Sequence, residues 1–141
     1  MNKYSYPFVK EKNKKVKPKI PIRVINFHTG QSIHTIALLD TGADSCTFPS
    51  MITLSVGYKL TPESLREKGT FGISGEELDT YVHPFIIEIL SPDRKKVIRT
   101  LNIVGNTIIT NTMPPILGTH LFLEKFKITF DYINDFVHLE W

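Results

Sequence analysis

One carboxylate in this chain stands at the end of an apolar run. Ile36-Ala37-Leu38-Leu39 precedes Asp40, and Thr41-Gly42-Ala43-Asp44 follows it. A carboxylate at the end of a buried strand is unfavourable unless it is hydrogen-bonded or shares charge with a partner. Gly42 removes a Cβ where backbone must approach something closely, and Thr41 adds a hydroxyl for local bonding. Two readings fit these residues about equally. Asp40 could cap a turn at a strand end, or it could be poised for general acid–base work. Cys46 follows on the same stretch and suggests a thiol nucleophile. Such chemistry needs a base within reach, and His28, His34, His83, His120 and His138 stand in no thiol-protease pattern. Cys46 reads better as a small apolar filler beside the loop. The histidines also lack the close pair spacing of a helical metal site, and a lone cysteine excludes a multi-cysteine zinc site. No metal site is expected.

The elements that must position Asp40 read as β. Ile20, Ile22, Val24 and Ile25 begin a strand, His28-Thr29-Gly30-Gln31 signals a turn, and Ser32 to Leu39 forms a second strand that delivers Asp40. A short helix or turn is expected between Pro49 and Val56. Thr61-Pro62-Glu63 predicts a brief turn, and a strand follows from Leu65. Gly72-Ile73-Ser74-Gly75 lies between two β-like arms. The returning arm, Tyr81 to Leu90, puts Phe85, Ile87 and Ile89 on one face. Ser91-Pro92-Asp93-Arg94 turns the chain into a strand from Val97 to Val104, with a separate short run between Gly105 and Asn111. Thr119 to Lys125 is long enough for about two helical turns. Lys127 to Asp131 and Phe136 to Leu139 form a last hairpin around Asn134-Asp135. The fold class is all-β with one or two short helices.

Size and charge bound what these elements can build. A chain of 141 residues with 41% apolar side chains makes one domain with one modest core. No apolar run approaches the roughly 20 residues that span a bilayer, and no apolar segment follows the basic amino terminus. A cytoplasmic protein is therefore expected. The net charge of +3 hides a division. Residues 1–23 hold eight basic side chains against Glu11, a net +7, and the other 118 residues hold 9 basic and 13 acidic ones, a net −4. Like charges repel, and Pro18 and Pro21 interrupt the lysine run. Residues 1–19 are accordingly expected to be a basic flexible tail and residues 20–141 the folded domain. Solubilisation is the main reading of that tail. Contact with nucleic acid or an acidic membrane surface is the minor one. Trp141 at the last position suggests a buried terminus, with a partner as a candidate cover.

Three marks, taken together, resemble the retropepsin-like aspartic proteases. Asp40-Thr41-Gly42-Ala43-Asp44 after Ala37-Leu38-Leu39 looks like their catalytic loop. Gly72-Ile73-Ser74-Gly75, beginning 32 residues after Asp40, looks like the tip of their flap hairpin. Ile116-Leu117-Gly118 resembles the apolar-apolar-Gly segment under the active site. The resemblance covers about residues 20–141. It implies a closed, barrel-like half with a flap, completed by homodimerisation. The chain holds a single Asp-Thr-Gly, and Asp44 shares a loop with Asp40 and is a poor partner for it. The second carboxylate must then come from another copy. The resemblance also implies roles. Asp40 would activate water, Thr41 would bond across the dimer, and Gly42 would offer its carbonyl to substrate. Ala43 and Asp44 would meet the substrate main chain, and Gly72, Ile73, Ser74 and Gly75 would close over an extended polypeptide. Viral members hold the acid after Asp-Thr-Gly-Ala with an arginine past the Leu-Gly. Thr119 and His120 stand there instead, which leaves the partner of Asp44 open. His120 could pair with that carboxylate or only cap the short helix. The competing function is a non-proteolytic dimerisation or peptide-binding domain of the same fold.

Overall fold

A computed structural model of the chain describes residues 1–12, 15–71 and 77–141, and of 66–71 and 77–78 the backbone alone. Ten strands follow in order: β1 (Lys3–Pro7), β2 (Lys19–Asn26), β3 (Ser32–Leu39), β4 (Thr47–Pro49), β5 (Leu65–Phe71), β6 (Glu77–Leu90), β7 (Val97–Ile108), β8 (Ile116–Leu117), β9 (Lys127–Asp131) and β10 (Phe136–Glu140). One short helix, α1 (Ser50–Ser55), follows β4, and single 3-10 turns cover Pro62–Ser64 and Leu123–Lys125. None of the described helices is long and apolar enough to cross a membrane.

Six strands close on themselves in the order β2-β3-β8-β4-β7-β6, with β6 returning to β2, and β5 extends the sheet from β6. Closure follows from the alternation in the long strands, since side chains two apart share a face. Phe85, Ile87 and Ile89 of β6 are fully buried, as are Ile20, Ile22 and Val24 of β2. Each such side chain contributes about 1.5–3 kcal/mol relative to its exposed state. The β2–β3 turn is built by Asn26, whose Oδ1 accepts the His28 and Thr29 N–H groups at 2.9 and 3.2 Å. Gly30 takes the left-handed conformation there, with φ +77°.

Three expectations change. Gly105 does not separate two runs, because β7 continues through it to Ile108. A Cβ on Gly105 would stand 2.8 Å from the Phe48 ring and 3.0 Å from the Phe85 ring. The glycine lets two aromatic rings pack on the strand, and their centroids lie 4.9 Å apart. Two helical turns do not form over Thr119–Lys125. Leu121 sits at φ +64°, which breaks a right-handed helix, and only Leu123–Lys125 winds into a single 3-10 turn.

The third change is the largest: the amino-terminal segment is not a free tail. β1 pairs antiparallel with β10, from Lys3↔Glu140 to Pro7↔Phe136, and β10 pairs with β9 in a separate three-stranded sheet. Tyr4, Tyr6 and Phe8 alternate with polar or small residues, and that period-2 pattern outweighs the lysines around it. Tyr6 is 1% exposed and Phe8 7%. The Tyr6 hydroxyl donates to Leu90 O at 2.6 Å. Lys19, the first residue of β2, is buried and ion-paired to Glu11. Trp141 is covered by its own chain. It stacks on Tyr4 with ring centroids 5.7 Å apart, and its backbone exchanges two hydrogen bonds with Asn2.

Candidate active site

Asp40 lies just past the end of β3. The parallel pairing of β3 with β8, Leu38↔Ile116 and Leu39↔Leu117, brings the Ile116-Leu117-Gly118 segment beside it. Four backbone bonds set the position of this strand end. Leu38 N–H donates to Pro115 O at 2.8 Å, Leu39 N–H to Pro18 O at 3.0 Å, Asp40 N–H to Leu117 O at 3.1 Å, and Ala43 N–H back to Asp40 O at 3.2 Å. The carboxylate is half-buried, and its Oδ1 accepts the Gly42 N–H at 2.9 Å. The capping reading of Asp40 is therefore correct as far as it goes. The same bond fixes the carboxylate at the loop's surface, where Thr41 and Gly42 are exposed.

The loop lies along the segment after β8. Thr119 N–H donates to Ala43 O at 2.9 Å, and His120 N–H to Asp44 O at 2.7 Å. Close approach at this crossing demands a glycine. A Cβ on Gly118 would meet Ser45 O at 2.4 Å, the Ser45 carbonyl carbon at 2.6 Å and Ala43 O at 2.8 Å. All three are backbone atoms that cannot turn aside as a side chain would. The apolar-apolar-Gly mark in the sequence is thus a packing requirement of the loop that carries Asp40.

The site residues named from sequence divide into two groups. Asp40, Thr41, Gly42, Ala43 and Asp44 form one short loop against Leu117–His120. Gly72, Ile73, Ser74 and Gly75 lie outside the described residues. On either side of them β5 and β6 pair antiparallel, through Thr70↔Leu78 and Phe71↔Glu77. Asp44 is exposed and forms no ion pair among the described residues. The His120 ring turns to Glu124, with Nδ1 3.7 Å from Oε1, and only its backbone meets Asp44. Glu124 also accepts the Leu121 N–H at 2.8 Å, so this pair belongs to the turn and not to the loop.

Cys46 is 1% exposed and points into the core. Burial pushes its thiol up to about 11, against a smaller opposing contribution from the Gly118 N–H. A thiol so placed is a weak nucleophile, consistent with a filler role. Two contributors were missed from sequence. Pro18 and Pro115 each supply a carbonyl to the end of β3. A proline lacks an N–H but keeps its carbonyl, and nothing local marks either as an acceptor.

No protein-family model and no curated protein matches the chain. Solved structures do. A retropepsin-like aspartic protease from Rickettsia conorii superposes with a TM-score of 0.59 at 16% identity, over 98% of this chain and 91% of that one. The EIAV protease complexed with the inhibitor HBY-793 superposes with a TM-score of 0.51 at 19% identity, over 77% of this chain and 86% of that one. The match to the Rickettsia protein spans nearly the whole chain. With the closed six-stranded barrel, the loop after β3 and the glycine crossing beneath it, the chain has the retropepsin-like fold.

Proposed function

We propose that the protein is an aspartic endopeptidase that cleaves extended polypeptides as a homodimer, each subunit contributing Asp40. The observation that carries this reading is the mounting of Asp40. Backbone bonds from Leu117, Gly42 and Ala43 fix it on an exposed loop, over a glycine that admits nothing larger. A turn cap needs the Gly42 bond alone.

The chemistry requires two carboxylates about a hydrogen bond apart that share one proton. Like charges that close cannot both ionise, so one acts as base and the other as acid; aspartic proteases are the reference case for this effect. The ionised Asp40 takes a proton from water as its oxygen attacks the scissile carbonyl. The protonated Asp40 of the other subunit donates to the developing oxyanion. The tetrahedral adduct then breaks its C–N bond as the nitrogen is protonated, and the acid and base exchange roles. Thr41 bonds across the subunits and holds the two loops at that separation. Gly42 presents its carbonyl to substrate backbone, and Ala43 and Asp44 line the cleft. Gly72 to Gly75, with Ile73 as the apolar contact, close over the peptide and exclude water. No metal or organic cofactor takes part, and the site of action is the cytoplasm.

The test is cleavage of an unfolded protein between acidic and neutral pH, by the wild type and by Asp40→Asn, with the oligomeric state followed by sedimentation. Loss of cleavage in the variant and a dimeric active species support the proposal. Cleavage unaffected by the substitution, or none from any dimeric preparation, sinks it and leaves a binding module.

A further inference from the structure

The described part of the lysine-rich segment leads back to the strand that delivers Asp40. Val9 and Lys17 exchange backbone bonds, Val9 N–H to Lys17 O at 2.8 Å and Lys17 N–H to Val9 O at 3.0 Å, which closes a short loop. The residue after the closure, Pro18, is the one whose carbonyl holds Leu39, next to Asp40. Lys10, Lys12, Lys15 and Lys17 on this loop are all exposed. The acid among them, Glu11, is engaged by the buried Lys19. None of the four lysines forms an ion pair among the described residues. Elsewhere Arg23 pairs with Glu88, and Arg99 lies over the Phe126 and Trp141 rings at 4.6 and 5.1 Å.

We propose that these four lysines form a subsite for acidic side chains of the polypeptide substrate, outside the residues that flank the cut. The proposal rests on the endopeptidase reading and adds a substrate class to it. An extended peptide advances about 3.3 Å per residue, and a lysine reaches roughly 6 Å from its Cα. A loop rooted at the strand that delivers Asp40 therefore meets residues a few positions from the scissile bond. Unpaired ammonium groups attract carboxylates over about a Debye length, roughly 10 Å at 0.1 M salt. The charge of the remaining chain selects polypeptide over nucleic acid. Beyond residue 23 the chain is net −4, and a nucleic acid strand carries a phosphate about every 3.4 Å along its whole length. Such a strand would run on from the lysines over an acidic body. A peptide places its carboxylates only where the lysines are.

Two labelled peptides test this, identical across the cleaved bond and the residues that flank it, one with glutamates and one with glutamines a few positions further out. At low salt the glutamate peptide is expected to have kcat/KM about tenfold higher, through KM, and the advantage is expected to vanish near about 0.5 M salt. In the K10Q/K12Q/K15Q/K17Q protein the ratio should fall to about one. Binding to the D40N protein, read by fluorescence anisotropy, gives the same comparison without turnover. If neither peptide is cut by the wild type, the endopeptidase reading fails and the anisotropy alone decides the subsite. Equal binding of both peptides, or tight binding that survives the lysine substitutions, overturns the subsite while leaving Asp40 chemistry intact. Displacement of the glutamate peptide by a lower concentration of a single-stranded oligonucleotide of equal charge also overturns it, in favour of nucleic acid.

Discussion

Residues 40–45 and residues 3–8 are both positioned by backbone bonds to distant parts of the chain, but different physics fixes each. The Asp40 loop is held by exclusion: Gly118 passes so near Ser45 and Ala43 that no side chain fits, and short N–H to carbonyl bonds follow from that proximity. The amino-terminal segment is held by burial: Tyr6 and Phe8 enter the core and β1 completes the edge of β10. Exclusion leaves a three-residue signature in the sequence. Burial of a strand far from its partner leaves only an alternation, and a run of lysines masks it. The basic loop that follows it ends at Pro18, which braces Leu39. A solubilising arm has thereby become part of the support for the site.

The sharpest way to break this contrast is to remove the anchor of the amino-terminal segment. Tyr6→Ala deletes a buried aromatic ring and is expected to lower stability by about 4 kcal/mol, measured by chemical denaturation. A free tail would give no more than about 0.5 kcal/mol, the ordinary effect of a surface substitution. Gly118→Ala tests the other side. The overlap with Ser45 and Ala43 should cost about 3 kcal/mol and displace the loop, so any Asp40-dependent cleavage should fall further than the loss of folded protein explains. Stability lost with cleavage per folded molecule retained would show that the crossing supports the fold and not the loop.

A pH series sharpens the comparison with a group that belongs to neither segment. His83 is buried against Tyr58, with its ring 4.4 Å from the Tyr58 ring and its Nε2 donating to Lys59 O, and its Nδ1 has no hydrogen-bond partner among the described residues. Burial lowers its pKa in the folded protein. The unfolded chain therefore takes up a proton first as pH falls, and stability present above about pH 6.5 is lost below it. The slope from this one group is at most about 1.4 kcal/mol per pH unit. His83→Gln keeps an N–H for Lys59 O and should flatten the pH dependence of the denaturation midpoint below about pH 6.5. An unchanged slope would place the acid sensitivity on other groups. The smallest effect is chemical. Cys46, with its thiol pushed up to about 11, should resist alkylation in the native protein at neutral pH and react at once on unfolding. Fast native labelling would mean that the core beneath the loop opens.

Much of the fold was legible because its signals are local. The β2–β3 hairpin, the alternation of Phe85, Ile87 and Ile89, and the last hairpin each reflect neighbours in sequence. Asp40 to Asp44 and Ile116 to Gly118 were legible for the same reason. What was not legible is non-local or conformationally unusual. The pairing of Ser5 with His138, whose side chains bond at 2.7 Å, spans almost the whole chain, and no window of sequence reports it. Leu121 at positive φ gives no warning, since leucine rarely adopts that conformation. Gly105 looked like a break because its packing partners, Phe48 and Phe85, come from two other strands.

The central claim is that one functional site needs an Asp40 from each of two chains, and mixed refolding tests it most directly. Wild-type and D40N chains are unfolded together in equal amounts and refolded, and the rate of peptide cleavage is compared with that of wild type at the same total concentration. Random pairing should leave about a quarter of the wild-type rate, because only pairs with two intact aspartates cleave. About half of the wild-type rate would mean that each chain works with its own carboxylate, and would contradict the account.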